Sequence, residues 1–507
     1  MVVNSNKSKQ IAKNTMLLYL RMIVVMLVSL YTIRIVIDSL GFEDYGIYNV
    51  VAGVIILLNC LNRVLSSATQ RFYSYSIGKC DFSYTQNVFS VSLNIYIIVS
   101  IIVILLGETI GVWFINTQLV IPPERLFAAN WIYQFSIYSF ILMILSVPFS
   151  AMIIAHEDMN LYAVITLIEC GLKLLAALLL YVFLYDRLIL YGFFLLLTNI
   201  VTFILYVSFC KKKYGECHYT KVRDKKLFVE MLSFSGWTLF GSVAGVTNLQ
   251  GNTILVNIFF GPVVNAARAV AFQISSALET FSSSFILAVQ PPMIKSYAEG
   301  NFSYLMKLFY FSNKFIFYCM MVICLPCFFE METILGMWLV DYSQDMVTFS
   351  RLTLVYSMII SLHNPITIIM RATGNVKRYF VPVESFTLLS MPLTYMFFYK
   401  GYPAVTTFII MIFVFFLAHI VRLIILKRAI SFFSLRKYLR LFVMPAFLVS
   451  LVTVTFVYLI WSGLDRGIGR FLVVGTVSTI LLVGQIFLFV LSKEEKNIIY
   501  KMIKRKC

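Results

Sequence analysis

Charge is scarce in this chain and histidine scarcer. Only 13% of the 507 residues are Asp, Glu, Lys or Arg, and only 4 are His. Ordinary soluble domains carry about 25% charged residues, so this scarcity excludes one. With 60% hydrophobic residues and a mean hydropathy of +0.88, the chain reads as an integral membrane protein with many spans. Cysteine offers no framework. Cys60, Cys170, Cys319, Cys324 and Cys327 fall in apolar segments, and Cys80, Cys210, Cys217 and Cys507 fall on the side assigned below to the cytoplasm, where thiols stay reduced. Cys324-x2-Cys327 has no second pair or nearby histidine, so it reads as packing. The histidines (His156, His218, His363, His419) are scattered and make no metal motif. No HExxH, DxD-type or Ser/His/Asp cluster is present, so no catalytic or metal residues are assigned, no cofactor is implied, and the chain is not read as an enzyme.

What is abundant is apolar runs of about 20 residues. These are helix lengths, not the ten-residue alternation of membrane strands. The fold class is therefore all-α and polytopic. Fourteen spans are expected: 11–37, 46–68, 84–106, 127–154, 161–184, 188–210, 228–260, 262–290, 304–329, 347–371, 379–399, 402–426, 440–461 and 470–491. The opening MVVNSNKSKQ leads into a spanning run without a small-residue cleavage site, so a retained first helix is expected.

The net charge of +18 does not point to nucleic acid, because its distribution follows membrane topology. One alternating set of loops, with both termini, holds 28 of the 41 Lys and Arg; the opposite set holds five. Both termini are thus expected in the cytoplasm. The basic clusters at 427–440 and 493–506 suit anionic headgroups or simply set topology.

The sequence also repeats. Phe82-Ser83-Tyr84 with Phe89 recurs as Phe302-Ser303-Tyr304 with Phe309, and Pro148, Ala155, Tyr162 and Val164 recur as Pro365, Ala372, Tyr379 and Val381. Asn49 matches Asn265. Each partner lies six spans later, so the halves share one orientation, as parallel repeats do. The expected organisation is a six-helix lobe over 1–210, a basic linker over 211–226, a second six-helix lobe over 227–426, and an extra helix pair with a basic tail over 427–507.

Eight Lys and Arg lie inside spans: Arg21, Arg34, Arg63, Lys173, Arg268, Lys314, Arg351 and Arg422. Glu169, Glu279 and Glu384 are the clear intramembrane acids, so the excess is positive. On the eighth span Arg268, Ser275, Glu279 and Ser282 fall within about 60° of one another on a helical projection. Lipid does not accept such a stripe, so it must face protein or water. The second span carries Asn49 and Arg63 on one face, and the Asn49/Asn265 register sets Arg63 opposite Glu279. Arg21 reads as cavity-lining. Arg34 with Asp38 and Glu169 with Lys173 read as structural pairs. Lys314 is central in its span with no local partner. Arg351, Glu384 and Arg422 read as interfacial. The seventh span, rich in Asn and Gly with Gly241-x3-Gly245, is either a tightly packed bundle helix or a flexible gate.

The first two spans, RMIVVMLVSLYTIRIVIDSLGFEDYGIYNVVAGV, resemble the start of bacterial polysaccharide flippases of the Wzx type, in the multidrug/oligosaccharidyl-lipid/polysaccharide (MOP) exporter superfamily. The stretch FSGWTLFGSV…NIFFGPVVNAARAVAFQ…QPPMIKSYAEGN resembles the start of that family's second lobe. The resemblance covers nearly the whole chain and is silent on the sugar. It implies two lobes about a cavity that opens alternately to either side. It also implies a multi-pass protein of the bacterial cytoplasmic (inner) membrane. The implied substrate is an undecaprenyl-diphosphate-linked oligosaccharide carried to the periplasmic leaflet, with the lipid bilayer and polysaccharide polymerase or assembly proteins as partners.

In that family the cavity is cationic. Arg21, Arg63 and Arg268 match by helix position as the diphosphate-binding face, with Asn49, Lys173, Ser275, Glu279 and Lys314 as further candidates for cavity lining or ion coupling. Coupling to H+ or Na+ stays open. The competing readings are a drug/cation antiporter of the same superfamily, which three acids against eight bases disfavour, and a membrane polymerase or glycosyltransferase, which the short outer loops disfavour.

Overall fold

Residues 2–490 and 496, apart from 57, 58, 118, 120, 184, 222, 223 and 340, are described by a computed structural model in which the described residues form helices and no strand. Fourteen long helices follow one another among the described residues: α1 (2–40), α2 (42–56 and 59–78), α3 (82–117), α4 (123–155), α5 (159–179), α6 (187–213), α7 (225–260), α8 (262–298), α9 (302–329), α10 (344–373), α11 (377–399), α12 (406–429), α13 (435–462) and α14 (468–490). A short helix, Met331–Trp338, lies between α9 and α10. Eleven of the fourteen are long and apolar enough by themselves to cross a membrane. The other three are α2, α8 with its polar stripe, and α11, which breaks at Leu389 between Lys377–Leu388 and Ser390–Tyr399.

The scarce acids are spent on helix starts. Asp81, Asp158, Asp186 and Asp224 each accept a backbone N–H in the first turn of the helix they precede, as Asn301, Ser343 and Ser434 do at theirs. The caps satisfy donors that have no intrahelical acceptor. Corners come from glycine. Gly41 joins α1 to α2 at φ 76°, ψ 169°, and Gly261 joins α7 to α8 at φ 80°, ψ −177°. That region of backbone space is essentially closed to residues with a Cβ.

The two corners are 220 residues apart, the same offset as the Phe-Ser-Tyr repeat. Cys80 (φ 56°) and Gly300 (φ 74°), and the caps Asp81 and Asn301, are spaced alike. The sequence repeat is therefore also a repeat of backbone conformation.

Contacts divide the chain into two compact units. One is Ile11–Ser242 with Gln290–Gly300; the other is Met1–Gln10, Val243–Val289 and Asn301–Cys507. The chain passes between them inside α1, α7 and α8 and again between Gly300 and Asn301. The linker belongs with the first unit, where Ser90 Oγ meets Thr220 Oγ1 at 3.2 Å and Gln86 donates to the His218 carbonyl at 3.2 Å. α4 runs through the centre of that unit, with Ala129, Ile132 and Tyr133 buried against Ile115 and Leu188. The end of α8 is fastened there too. Lys295 pairs with Glu157 at 2.8 Å, Asn14 donates to the Glu157 carbonyl at 3.2 Å, and Gln290 donates to Gln70 at 3.2 Å.

In the second unit Phe349 and Phe408 stack with centroids 4.6 Å apart over Ala267 and Ala271 of α8. The extra pair α13–α14 belongs to this unit and is pinned to α9 and its following turn. Arg470 grips Glu330 through both carboxylate oxygens, at 2.7 and 3.3 Å, and Lys314 donates to the Val490 carbonyl at 3.1 Å.

Glu384 and Arg422, expected at the interface, are instead buried, at 9% and 6% exposure, and paired at 3.2 Å. Their helices pack α11 against α12, which draws both side chains inward. The tight approach expected at Gly241-x3-Gly245 is absent at Gly245, where an added Cβ meets nothing within 4 Å. It occurs instead at Gly251, against Met391.

Two outcomes follow. Gly261→Ala meets open space, so its cost is backbone strain of about 1–3 kcal/mol, read as a lowered thermal midpoint of the detergent-solubilised protein; an unchanged midpoint contradicts the corner. Glu384→Ala strands a buried guanidinium and costs about 3–5 kcal/mol, whereas the double change Glu384→Gln with Arg422→Met regains most of it. A double variant no more stable than the single one removes the pair from the account.

Candidate functional site

A charge in hydrocarbon must find a partner or water, so each intramembrane charge can be sorted by what it touches. In the first unit Glu169 and Lys173 form the pair their spacing predicts, at 2.6 Å. Arg34 and Asp38 do not. Both are exposed, and Asp38 accepts a 2.6 Å hydrogen bond from Tyr181. An arginine four residues before an acid is the unfavourable order on a helix, and the tyrosine on the neighbouring segment wins. Arg21, on α1, is half-buried, with its guanidinium 5.1 Å from the centre of the Tyr162 ring and its Nε buried without a hydrogen-bond partner. Arg63, on α2, is exposed, and among the described residues no carboxylate pairs with it. The side chain of Asn49 lies outside the described residues.

In the second unit the α8 stripe divides. Arg268 is 1% exposed and turned into the bundle. It donates from Nη2 to the Leu249 carbonyl at 3.1 Å and from Nε to Thr253 at 3.3 Å, across the Gly261 corner on α7. Phe272 and Phe408 lie 4.3 and 5.6 Å from its guanidinium carbon, and Nη1 is buried without a partner. Ser275 is buried against Ser357 at 2.8 Å, whereas Glu279 is exposed. Helical spacing fixes where each Cα sits; the long arginine side chain leans back toward α7 and leaves the stripe. Lys314 is taken by the Val490 carbonyl. Arg351 donates to the Phe328 carbonyl at 2.9 Å and meets Glu332 at 3.5 Å near the helix ends.

Two polar clusters form in the second unit: the partners of the seventh span's asparagines, and a histidine pair that the sequence reading missed. Asn248 on α7 donates to the Thr387 carbonyl and the Ser390 hydroxyl, both at 2.6 Å, at the break in α11, and Asn252 donates to Ser390 at 3.2 Å and accepts from Thr407 at 3.4 Å. On this face α7 is a packed bundle helix. The second cluster joins His363 of α10 to His419 of α12, their rings stacked 5.4 Å apart and both nine-tenths buried. Lying 56 positions apart, they leave no local spacing to detect. Among the described residues no group of three or more His, Cys, Asp or Glu forms a metal site.

With this geometry in hand, comparison places the chain. Residues 11–297 match the family model described as polysaccharide biosynthesis protein. The fold is similar to solved structures at low identity. One is described as MATE in the straight conformation, with TM-score 0.73 and 16% identity over 84% of this chain and 96% of that one. Another is the outward-facing conformation of a multidrug resistance MATE family transporter of the MOP superfamily, with TM-score 0.73 and 15% identity over the same shares. A third is a MOP superfamily transporter from Pyrococcus furiosus, described as having a binding pocket of reverse polarity that suggests a different function, with TM-score 0.71 and 16% identity over the same shares. No curated protein matches the chain in sequence. With more than half its length matched by the family model, the chain belongs to the polysaccharide biosynthesis protein family, and most of it shares its fold with the MATE structures.

Proposed function

We propose that this protein carries a polyprenyl-diphosphate-linked oligosaccharide from the cytoplasmic to the periplasmic leaflet by alternating access, in the synthesis of cell-surface polysaccharide. The bacterial cytoplasmic membrane is the location that goes with this reading, undecaprenyl diphosphate is the carrier, and polymerase or assembly proteins receive the product. One observation carries it: the intramembrane arginines Arg21 and Arg63 keep nitrogen donors that no carboxylate answers among the described residues, while Glu169 and Glu384 are already spent on Lys173 and Arg422. A site for a cationic drug needs the opposite balance. A diphosphate crossing about 30 Å of hydrocarbon needs compensating charge, and guanidinium grips phosphate oxygens in pairs. Neutral side chains then meet the hydrated sugar, and the prenyl chain stays in lipid.

Arg21 and Arg63 are assigned to the diphosphate directly. Arg268 keeps one buried nitrogen available but also clasps α7 to α8, so its substitution alters both binding and stability. The remaining candidates, Asn49, Lys173, Ser275, Glu279 and Lys314, are assigned to lining or support.

The test is leaflet transfer of a fluorescent undecaprenyl-diphosphate-linked disaccharide in proteoliposomes. Each of Arg21→Ala and Arg63→Ala removes a charge-assisted contact of about 1.5–3 kcal/mol, so transfer falls about 10- to 100-fold while the thermal midpoint holds. Full transfer by the triple variant with Arg268→Ala, correctly folded, rules the assignment out.

A further inference from the structure

The His363–His419 cluster is built from four helices of the second unit and does not enter the reading above. His363 opens the second segment of α10, just past the break at Leu362, and is followed by Pro365. His419 and Arg422 stand one turn apart on α12. Glu384 and Tyr379 come from the first segment of the broken α11, which contains Pro382. Tyr438 comes from the start of α13 and meets His419 Nε2 at 3.3 Å. Arg422 donates to Tyr379 at 3.1 Å and to Glu384 at 3.2 Å.

Three nitrogens here are buried with no hydrogen-bond partner: His363 Nε2, His419 Nδ1 and Arg422 Nη1. None of the three side chains is more than 9% exposed. Buried polar atoms are rarely left so, and each exception asks for an explanation. The residue types narrow it. A carboxylate-rich cage would suit a metal ion, and none is present. Two imidazoles suit a proton, the one ion that a ring nitrogen binds covalently and releases near neutral pH.

Arg422 is the charged group that acts on both rings, and Glu384 holds it at 3.2 Å. An imidazolium formed at His363 or His419 is repelled by that guanidinium, so proton uptake bears directly on the Arg422–Glu384 pair. Two of the four helices are discontinuous at this level. Prolines at 365 and 382 each leave a carbonyl one turn back without its amide donor, so the segments bearing His363 and Glu384 are the ones able to move. Discontinuous helices are where transporters hold coupling ions, and intramembrane histidines mark proton paths.

The remaining charged or titratable groups facing the cluster are Tyr356 and Arg371 on α10 and Tyr310 on α9, beside Tyr438. Tyr356 also lies in the fields of Arg268, Glu279, Glu384 and Arg422, which connects the cluster electrostatically to the α8 stripe.

We propose that His363 and His419 bind the proton that couples transport to the membrane pH gradient, the imidazolium displacing Arg422 by charge repulsion. The step adds one proton to a ring nitrogen and returns it on release; no other bond changes. The coupling role rests on the transport reading, whereas proton binding does not.

Because the chain has only four histidines, 15N-histidine-labelled protein in lipid nanodiscs gives few imidazole signals, assigned through His363→Asn and His419→Asn. The expected result is that at least one of the two rings changes protonation between pH 5 and 8; if both keep one form throughout, the proposal falls, whether or not any lipid is moved. In proteoliposomes, a gradient of one pH unit is worth about a factor of ten per coupled proton. The disaccharide-lipid transfer of the wild type accelerates accordingly, and His363→Gln with His419→Gln removes the acceleration while gradient-free transfer continues. Wild-type transfer indifferent to the gradient, or a double variant still driven by it, overturns the coupling and leaves the transport reading standing. Absent transfer with titrating rings overturns the transport reading and leaves the proton site.

Discussion

The cost of an unanswered charge in hydrocarbon orders most of what is seen here. With few acids available, nearly every one has a defined task. Some cap helices in the loops; Glu169, Glu330, Glu332 and Glu384 answer particular basic side chains. Where no acid is provided, carbonyl oxygens and aromatic faces serve, as they do for Arg268 and Lys314. Arg21 rests on the Tyr162 ring and, like the exposed Arg34 and Arg63, has no carboxylate partner among the described residues. Under the proposed transport reading, the counter-ion of Arg21 and Arg63 is the diphosphate of the substrate.

Backbone geometry supplies the second constraint. The glycine corners at 41 and 261 turn the chain between consecutive helices without a loop. The breaks at Leu362 and Leu389 and the Pro291-Pro292 pair, beside the point where α8 passes from one unit to the other, are positions where helical hydrogen bonding is interrupted. Interrupted rods suit a molecule that changes state by moving segments without repacking its cores.

Helix number and kind were legible because apolar runs of spanning length admit few structures. The repeat was legible because caps and prolines are local devices that leave their residues at fixed offsets. The Glu169–Lys173 pair was legible for the same reason, being one turn of one helix. What failed to show was decided between helices. Periodicity placed Arg268, Ser275 and Glu279 on one stripe, but a four-bond side chain reaches several ångströms, and packing decided that the guanidinium leaves the stripe for α7. His363 and His419 meet through the packing of α10 on α12, and neither carries a local mark of the other. Glu384 and Arg422 read as interfacial from their distance to helix ends, and only the seating of α11 against α12 buries them.

The fastening of α14 bears on how a chain of this design could be shortened. Twelve helices make up the repeated pair, and the final two look dispensable by that count. Yet Glu330, its side chain fully buried, depends on Arg470, and Lys314 depends on a carbonyl at the far end of the same helix. A stop codon before α13 would take Arg470 from the buried Glu330 carboxylate and the Val490 carbonyl from Lys314, so the cost of truncation is set by side chains laid down far upstream of the segment to be lost.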